Sequence, residues 1–420
     1  MRVSDVLAAT TLRPHDPSFG PVFTHGRCAR LWDEQGRDFF DLTCGYSASN
    51  FGHAFEPLVA AAREQLGQLS HLTGALHEGK IALARRLVEL VAPSRQWPNR
   101  VIFNATGARA IETAWKAAVA YRPGKLLTVS PGFHGRSIAA GCVSAAVQVE
   151  PRVDQAAFHT MPLGNYPDCG HCPLKLRFPE CSLQCASALF AYLEKNAAQI
   201  SALLVEPALG ARGYVFPPAE YFRQLRQITK VSGILMIADE IQTGLGRCGS
   251  WLLSTQQQWE PDLVVLGKSL GGGITPISAV VGRADVLDAL PLGGESETFA
   301  ATPLACRVAR QVLDELNAGP WIERGQVIGQ ELREWFYSRA QSLGFLSVQG
   351  QGASCVLEFL GAGVTDGQAQ AAARACAQRF QAARLLVQLS GQRLTRIVIL
   401  PPLTISADEL TEIKQRVTAA

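Results

Sequence analysis

Between about residue 55 and residue 305, short apolar runs alternate with stretches of helical periodicity. The runs NRVIFNA (99–105), KLLTVS (125–130), ISALLVEP (200–207), GILMIADE (233–240), DLVVLG (262–267) and ISAVVG (277–282) predict strands. Within 107–122, Ile111, Ala114, Trp115, Ala118 and Val119 recur on one face of a helix. The amphipathic stretch AEYFRQLRQITKVSG ends in a glycine suited to closing a helix. Apolar strands alternating with helices specify an α/β domain with a mostly parallel, buried sheet. Beyond about 305, LACRVARQVLDELNAG predicts a long helix, followed by mixed α and β elements ending in RIVILPPLTISADELTEIKQRVTAA. The pattern therefore predicts a large domain over 55–304 and a smaller α+β domain built from 1–54 and 305–420.

At 420 residues the chain exceeds the usual span of one hydrophobic core, which agrees with that division. The net charge of +3 is spread along the chain, without basic runs, aromatic–basic interleaving or zinc-finger spacing, and nucleic acid is not an expected partner. No apolar stretch reaches the length of a membrane span. The first 20 residues carry Asp5 inside their only apolar patch and lack a signal-peptide core, so the expected location is cytoplasmic. Eleven cysteines, an odd number, fit reduced thiols better than a secreted disulfide framework.

In open α/β sheets ligands bind beyond the carboxyl ends of strands. Three predicted strands end there in a polar residue: Glu206, Asp239 and Lys268. The chain holds eight lysines against 31 arginines, so a lysine in this place calls for a reason beyond charge. Burial lowers a lysine's pKa, and the neutral amine attacks carbonyl carbon. Arginine stays protonated and forms no Schiff base. A buried aspartate such as Asp239 can hold a pyridine nitrogen protonated. Thr106, Gly107 and Ala108 start a helix, where backbone amides and the dipole favour phosphate. Phe133 offers a face for a flat ring.

Phosphate turn, aromatic, acid and lysine, in this order along the chain, are found together in a known family. The sequence resembles the class III aminotransferases, pyridoxal-phosphate enzymes of fold type I, in DLTCGYSASNFGHAFEPL, NATGARAIETAWKAA, GFHGRS, EPALGARGYVFPP, ADEIQTGLGRCG, LGKSLGGGI, TFAATPLAC and ILPPLTIS. The resemblance implies a homodimer with active sites at the interface and pyridoxal phosphate as cofactor. It assigns Lys268 as the Schiff-base lysine that also shuttles the proton, and Asp239 as partner of the pyridinium nitrogen. Gln242 matches the residue that bonds the ring hydroxyl. Phe133 matches the stacking aromatic, with His134 beside it. Gly107 and Ala108, with Thr106, match the phosphate turn, and Thr298 matches a threonine that reaches the neighbouring subunit's phosphate. Arg136, Glu206 and Tyr46 fall at substrate-contacting places, where Arg136 and Glu206 either open for a second carboxylate or form a fixed salt bridge.

Three departures from the family pattern bear on substrate. Where many members carry an arginine that clamps an α-carboxylate, this chain has Val398, with Arg396 two residues earlier on the same strand face. Loss of such a clamp removes a contact of roughly 1.5–3 kcal/mol, which favours a substrate without a neighbouring carboxylate. Arg109 replaces a glutamate in the phosphate turn, pointing either toward the cofactor or outward. Glu295-Ser296-Glu297 replaces a His-Gly-Ser/His stretch, placing two acids either near the partner's site entrance, where they favour a cationic substrate, or in a solvated loop.

Cys169, Cys172, Cys181 and Cys185 fall within 17 residues in CGHCPLKLRFPECSLQC. That spacing suits a structural zinc with His171 as a spare ligand, free thiols, or disulfides. The leading expectation is a ping-pong aminotransferase working on an amine donor and a carbonyl acceptor. An amino-acid decarboxylase or epimerase on the same fold is the alternative, and a binding protein on that scaffold is a third.

Overall fold

The computed structural model describes residues 21–91, 99–144, 160–172, 174–391 and 393–419. Residues 1–20, read above as lacking a signal sequence, lie outside the described residues.

The described chain opens with an antiparallel meander of β1 (Phe23–Arg27), β2 (Arg30–Asp33) and β3 (Asp38–Asp41). Helices α1 (Glu56–Leu66) and α2 (Glu78–Val91) follow. Seven strands then form one sheet: β4 (Asn99–Asn104), β5 (Lys125–Ser130), β6 (Thr160–Asn165), β7 (Ile200–Val205), β8 (Leu235–Asp239), β9 (Leu263–Leu266) and β10 (Ser278–Arg283). Their spatial order is β4-β10-β9-β8-β7-β5-β6. Neighbours from β6 to β9 pair in parallel, whereas β10 runs antiparallel to both β9 and β4. Every residue of β7, β8 and β9 is buried, as expected for strands covered by helices on both faces.

The six strands expected from apolar runs are all present. The seventh, β6, was not expected, because TMPLGN contains Pro162 and Gly164. A proline is tolerated at a sheet edge, where its missing N–H costs no ladder bond, and β6 is the edge strand.

Helix α3 (Gly107–Tyr121) buries Ala110, Ile111, Ala114, Ala117 and Ala118. Trp115 and Val119, expected on the same face, are only half-buried; Thr113 and Ala117 are buried instead. Helix α4 (Ala219–Val231) buries Tyr221, Phe222, Leu225 and Thr229, and Gly233 leaves it with φ +66°, the left-handed turn foreseen for this glycine. Helix α5 (Pro303–Ala318), capped by the Thr302 side chain, packs on α1 and α2.

After α6 (Trp321–Tyr337) come β11 (Ser347–Gln349), β12 (Cys355–Glu358), α7 (Asp366–Ala382), β13 (Leu385–Leu386), β14 (Gln388–Ser390), β15 (Arg396–Ile399) and α8 (Ala407–Ala419). Strands β11, β12, β15 and β14 form a second sheet in that order, and β13 pairs in parallel with β3. Ala29, Phe40 and Leu42 share a core with Ile328, Phe336, Phe380 and Ile413, so segments far apart in sequence bury one another.

Arg247 ties these parts together from a fully buried position. Its Nε and Nη2 donate to Asn50 Oδ1 at 3.1 and 2.7 Å, and Nη1 donates to the carbonyls of Ala353 and Pro401 at 2.7 and 2.8 Å. Replacement of Arg247 by methionine leaves those acceptors unsatisfied in a dry interior and is expected to destabilise the fold by about 3 kcal/mol or more. Urea unfolding checks this; an unchanged midpoint would show that the network contributes nothing.

Candidate active site

Strands β7, β8 and β9 lie side by side and parallel, so their carboxyl ends open on one edge of the sheet. Glu206 follows β7, Asp239 ends β8, and Lys268 lies two residues past β9. The three side chains line one cavity of about 200 Å³ together with Gly107, Ala108, Phe133, His134, Gly135, Ile241 and Gln242.

The Lys268 Nζ donates to Gln242 Oε1 at 2.6 Å. Burial pushes its pKa down to about 8, against the opposing pull of the Asp239 and Glu206 charges. Its backbone has φ +44°, a left-handed conformation that costs a lysine energy and is concentrated at functional sites. Asp239, 4% exposed, places Oδ2 2.8 Å from His134 Nδ1 and accepts the Ile241 amide on Oδ1 at 3.1 Å. His134 Nε2 and Gln242 Nε2 are buried without hydrogen-bond partners among the described residues. Both nitrogens are covered by protein atoms rather than open to the cavity, and His134 Nε2 lies against Gly132.

Glu206 accepts the Phe133 amide on Oε1 at 2.8 Å and the Gly210 amide on Oε2 at 3.0 Å. Burial raises its pKa to about 7; His134 opposes the shift and the Asp239 charge adds to it. Arg136 is exposed, with its guanidinium carbon 5.8 Å from the centre of the Phe133 ring. No ion pair joins Arg136 to Glu206, whose carboxylate is buried while Arg136 lies exposed.

Thr106 caps α3, its side chain accepting the Arg109 amide at 3.3 Å. The first bond of the helical ladder is Ala110 N–H to Thr106 O, so the amides of Gly107 and Ala108 precede it at the positive end of the helix. A Cβ on Gly107 would stand 2.9 Å from Ile241 Cδ1, and one on Gly135 would stand 2.6 Å from Ala108 Cβ. Glycine at these two positions lets the backbone close on the cavity.

Four of the expected site residues do not line this cavity: Thr106 and Arg136, placed above, and Tyr46 and Thr298. Tyr46 is exposed, at φ +58° in a left-handed turn whose next residue, Ser47, bonds the buried Tyr214 hydroxyl at 3.0 Å. Thr298 is exposed, and its carbonyl accepts the Thr73 hydroxyl at 2.8 Å. Ile241, Ser144 and Tyr166 were not foreseen. Ile241 forms cavity wall, Ser144 Oγ accepts the His134 amide at 2.7 Å, and the Tyr166 hydroxyl accepts the Glu206 amide at 2.7 Å. Ile241 was legible from its place between Asp239 and Gln242; the other two carry no local signal.

The departures resolve as follows. Val398 is fully buried in an apolar cluster with Ala208, Tyr214, Val356 and Leu400. Arg396 stands opposite Glu358 across β12 and β15 and pairs with it, while its Nη2 bonds Asp168 at 2.6 Å and His171 Nδ1 at 3.2 Å. It is committed to that network and does not replace the missing clamp. Glu295 and Glu297 pair with Arg109, while their neighbours Leu292, Gly293, Gly294, Ser296 and Thr298 are exposed. All eleven cysteines are free thiols, which sets aside the disulfide reading. Cys169, Cys172, Cys181 and Cys185 line a different cavity of about 270 Å³, and among the described residues no cluster of three or more His, Cys, Asp or Glu is arranged to hold a metal ion.

Comparison with known proteins places this geometry in a family. A family model described as "Aminotransferase class-III" matches residues 13–420. The chain is 31% identical over 400 residues to a leucine/methionine racemase of Thermococcus litoralis, covering 93% of this chain and 88% of that protein. It is 31% identical over 388 residues to the 5-aminovalerate aminotransferase DavT of Pseudomonas aeruginosa, covering 90% and 88%. Among solved structures, ornithine aminotransferase from Toxoplasma gondii matches with a TM-score of 0.83 at 25% identity, covering 99% of this chain and 93% of that one. A PLP-bound amine transaminase from an uncultivated Pseudomonas species matches with a TM-score of 0.85 at 26% identity, covering 97% of each. The fold is that of the fold type I aminotransferases, and the chain belongs to the class III aminotransferase family.

Proposed function

We propose that this aminotransferase moves an amino group from a primary amine to an aldehyde or ketone in two alternating half-reactions, with pyridoxal phosphate in the Lys268 cavity. The observation that carries the reading is the desolvated Lys268 amine, sharing with Asp239 one cavity on which the Gly107 and Gly135 backbone closes. The residues present fit the cofactor. The Gly107 and Ala108 amides at the start of α3, with the Thr106 turn, would hold its phosphate. Asp239 would face its ring nitrogen, Phe133 its ring face and Gln242 its hydroxyl. When bound, the cofactor supplies an aldehyde for amine exchange and a ring that accepts the electron pair of the substrate carbon.

The protein's own groups supply the rest. Lys268 Nζ, neutral in a large fraction of molecules near pH 8, can take a proton from a substrate carbon and return it elsewhere. The Asp239 carboxylate, fixed by His134 and the Ile241 amide, holds negative charge in a dry place where a cationic ring nitrogen is stabilised. Glu206 keeps the Phe133 backbone in place through its amide.

The substrate amine, in this reading, carries no α-carboxylate held in the usual way: a terminal amine, an amino sugar or another biosynthetic intermediate. Apolar Val398 where the clamp stands in many members, and an Arg396 already engaged, support this. A homodimer belongs to the same reading, because Thr298 is exposed and away from its own chain's cavity, free to serve a partner's. A cytoplasmic location is likewise proposed; no helix among the described residues is long and apolar enough to cross a membrane.

Absorbance of the cofactor-loaded protein, followed while amine donors are added singly without an acceptor, tests the reaction. A productive donor is expected to convert the cofactor to its pyridoxamine form in one stoichiometric step. Return to the starting spectrum with a racemised amino acid would instead establish the chemistry named for the Thermococcus relative. A second prediction concerns pH. Because burial lowers the pKa of Lys268, its amine should become reactive as pH rises through about 8, below the 10.5 of an ordinary lysine. Reductive modification of cofactor-free protein by a small aldehyde, mapped by mass spectrometry across pH, measures this. A midpoint near the ordinary value would contradict the desolvated site.

A further inference from the structure

Glu297 is bonded on both oxygens to the segment that leads into the phosphate turn. Its Oε1 accepts from Asn104 Nδ2 at 2.7 Å and from Arg109 Nε at 3.0 Å, and its Oε2 accepts the Ala105 amide at 3.0 Å. These donors flank Thr106, Gly107 and Ala108 on both sides. Arg109 also stands 3.2 Å from Glu295 and 3.5 Å from Glu112. Glu295, its side chain only 7% exposed, takes the Thr113 hydroxyl at 2.7 Å and pairs with Lys116.

A cation in the first turn of a helix opposes the dipole, so Arg109 gains nothing from α3 itself. Its partners are the acids. Three carboxylates at this helix start, left uncompensated, would repel a phosphate arriving at the neighbouring amides. The next residue after Glu297 is Thr298, so the same carboxylate also anchors the segment that carries it.

We propose that Arg109 and Glu297 are positioning residues for the phosphate end of the cofactor site. Glu297 fastens the Thr298 segment to the phosphate turn, and Arg109 cancels the charge that this fastening brings beside it. The inference rests on the pyridoxal-phosphate reading above and extends it to residues that do not touch the cavity. It also accounts for two departures from the family pattern as one exchange, a cation entering the turn together with acids entering the facing segment.

The test compares binding of pyridoxal phosphate and of pyridoxal, which lacks the phosphate, to the full-length cofactor-free protein. Arg109→Gln is expected to weaken pyridoxal phosphate on the order of tenfold and pyridoxal far less, the scale of one half-buried charge interaction. Arg109→Lys, which keeps the charge, should stay within about threefold of wild type; it also guards against a folding defect in the glutamine variant. Adding Glu297→Gln to Arg109→Gln should recover most of the lost phosphate preference. Equal weakening of both ligands by Arg109→Gln, or no weakening of either, would overturn the proposal while leaving the cofactor reading intact. Wild-type protein that binds neither ligand at Lys268 would overturn both.

Discussion

Everything proposed for this site depends on removing water from one amine. Lys268 lies just past a strand whose residues are all buried, with Asp239 and Glu206 at the ends of the next two strands. Those two acids pull its pKa up, yet burial wins and brings it down to about 8. A lysine in water at neutral pH is an inert cation; here the neutral, nucleophilic form rises to about a tenth at pH 7 and about half at pH 8. The sheet creates that condition, because parallel strands covered on both faces leave only their carboxyl ends for polar groups. Asp239 adds a fixed negative charge in the same dry place, held by His134 and a backbone amide.

The arginines of this chain do a different job. Arg247 bridges Asn50 and two distant carbonyls, Arg396 binds Glu358 and Asp168, and Arg109 gathers Glu295 and Glu297. Each uses a planar, permanently charged fork to satisfy several acceptors at once, which an ammonium on a flexible stem does less well. Lys268 stands where the charge must be lost, a role arginine cannot take. Other lysines, such as Lys116 beside Glu295 and Lys414 beside Glu331, form ordinary ion pairs.

The large sheet was legible because its strands are apolar runs bounded by helical periodicity. The site was legible because Glu206, Asp239 and Lys268 interrupt those runs at their carboxyl ends. Edge strand β6 was hidden by Pro162, which reads as a break unless the strand's place in the sheet is known. The direction of Arg396 was also unreadable. It is set by Glu358, which only the pairing of β12 with β15 brings opposite. The same holds for Arg109: sequence left it facing cofactor or solvent, and the answer came from acids contributed by a segment far along the chain. Glu206, instead of pairing with Arg136, is bonded to backbone amides, which are invisible in a residue pattern. Local chemistry could be read from the sequence; partnerships across elements could not.

The most direct measurement is reductive trapping of the cofactor-loaded protein with borohydride, followed by peptide mapping. The account predicts one pyridoxyl adduct, on the peptide carrying Lys268, and none in Lys268→Ala protein. An adduct on another lysine, or an undiminished adduct in that variant, would contradict it.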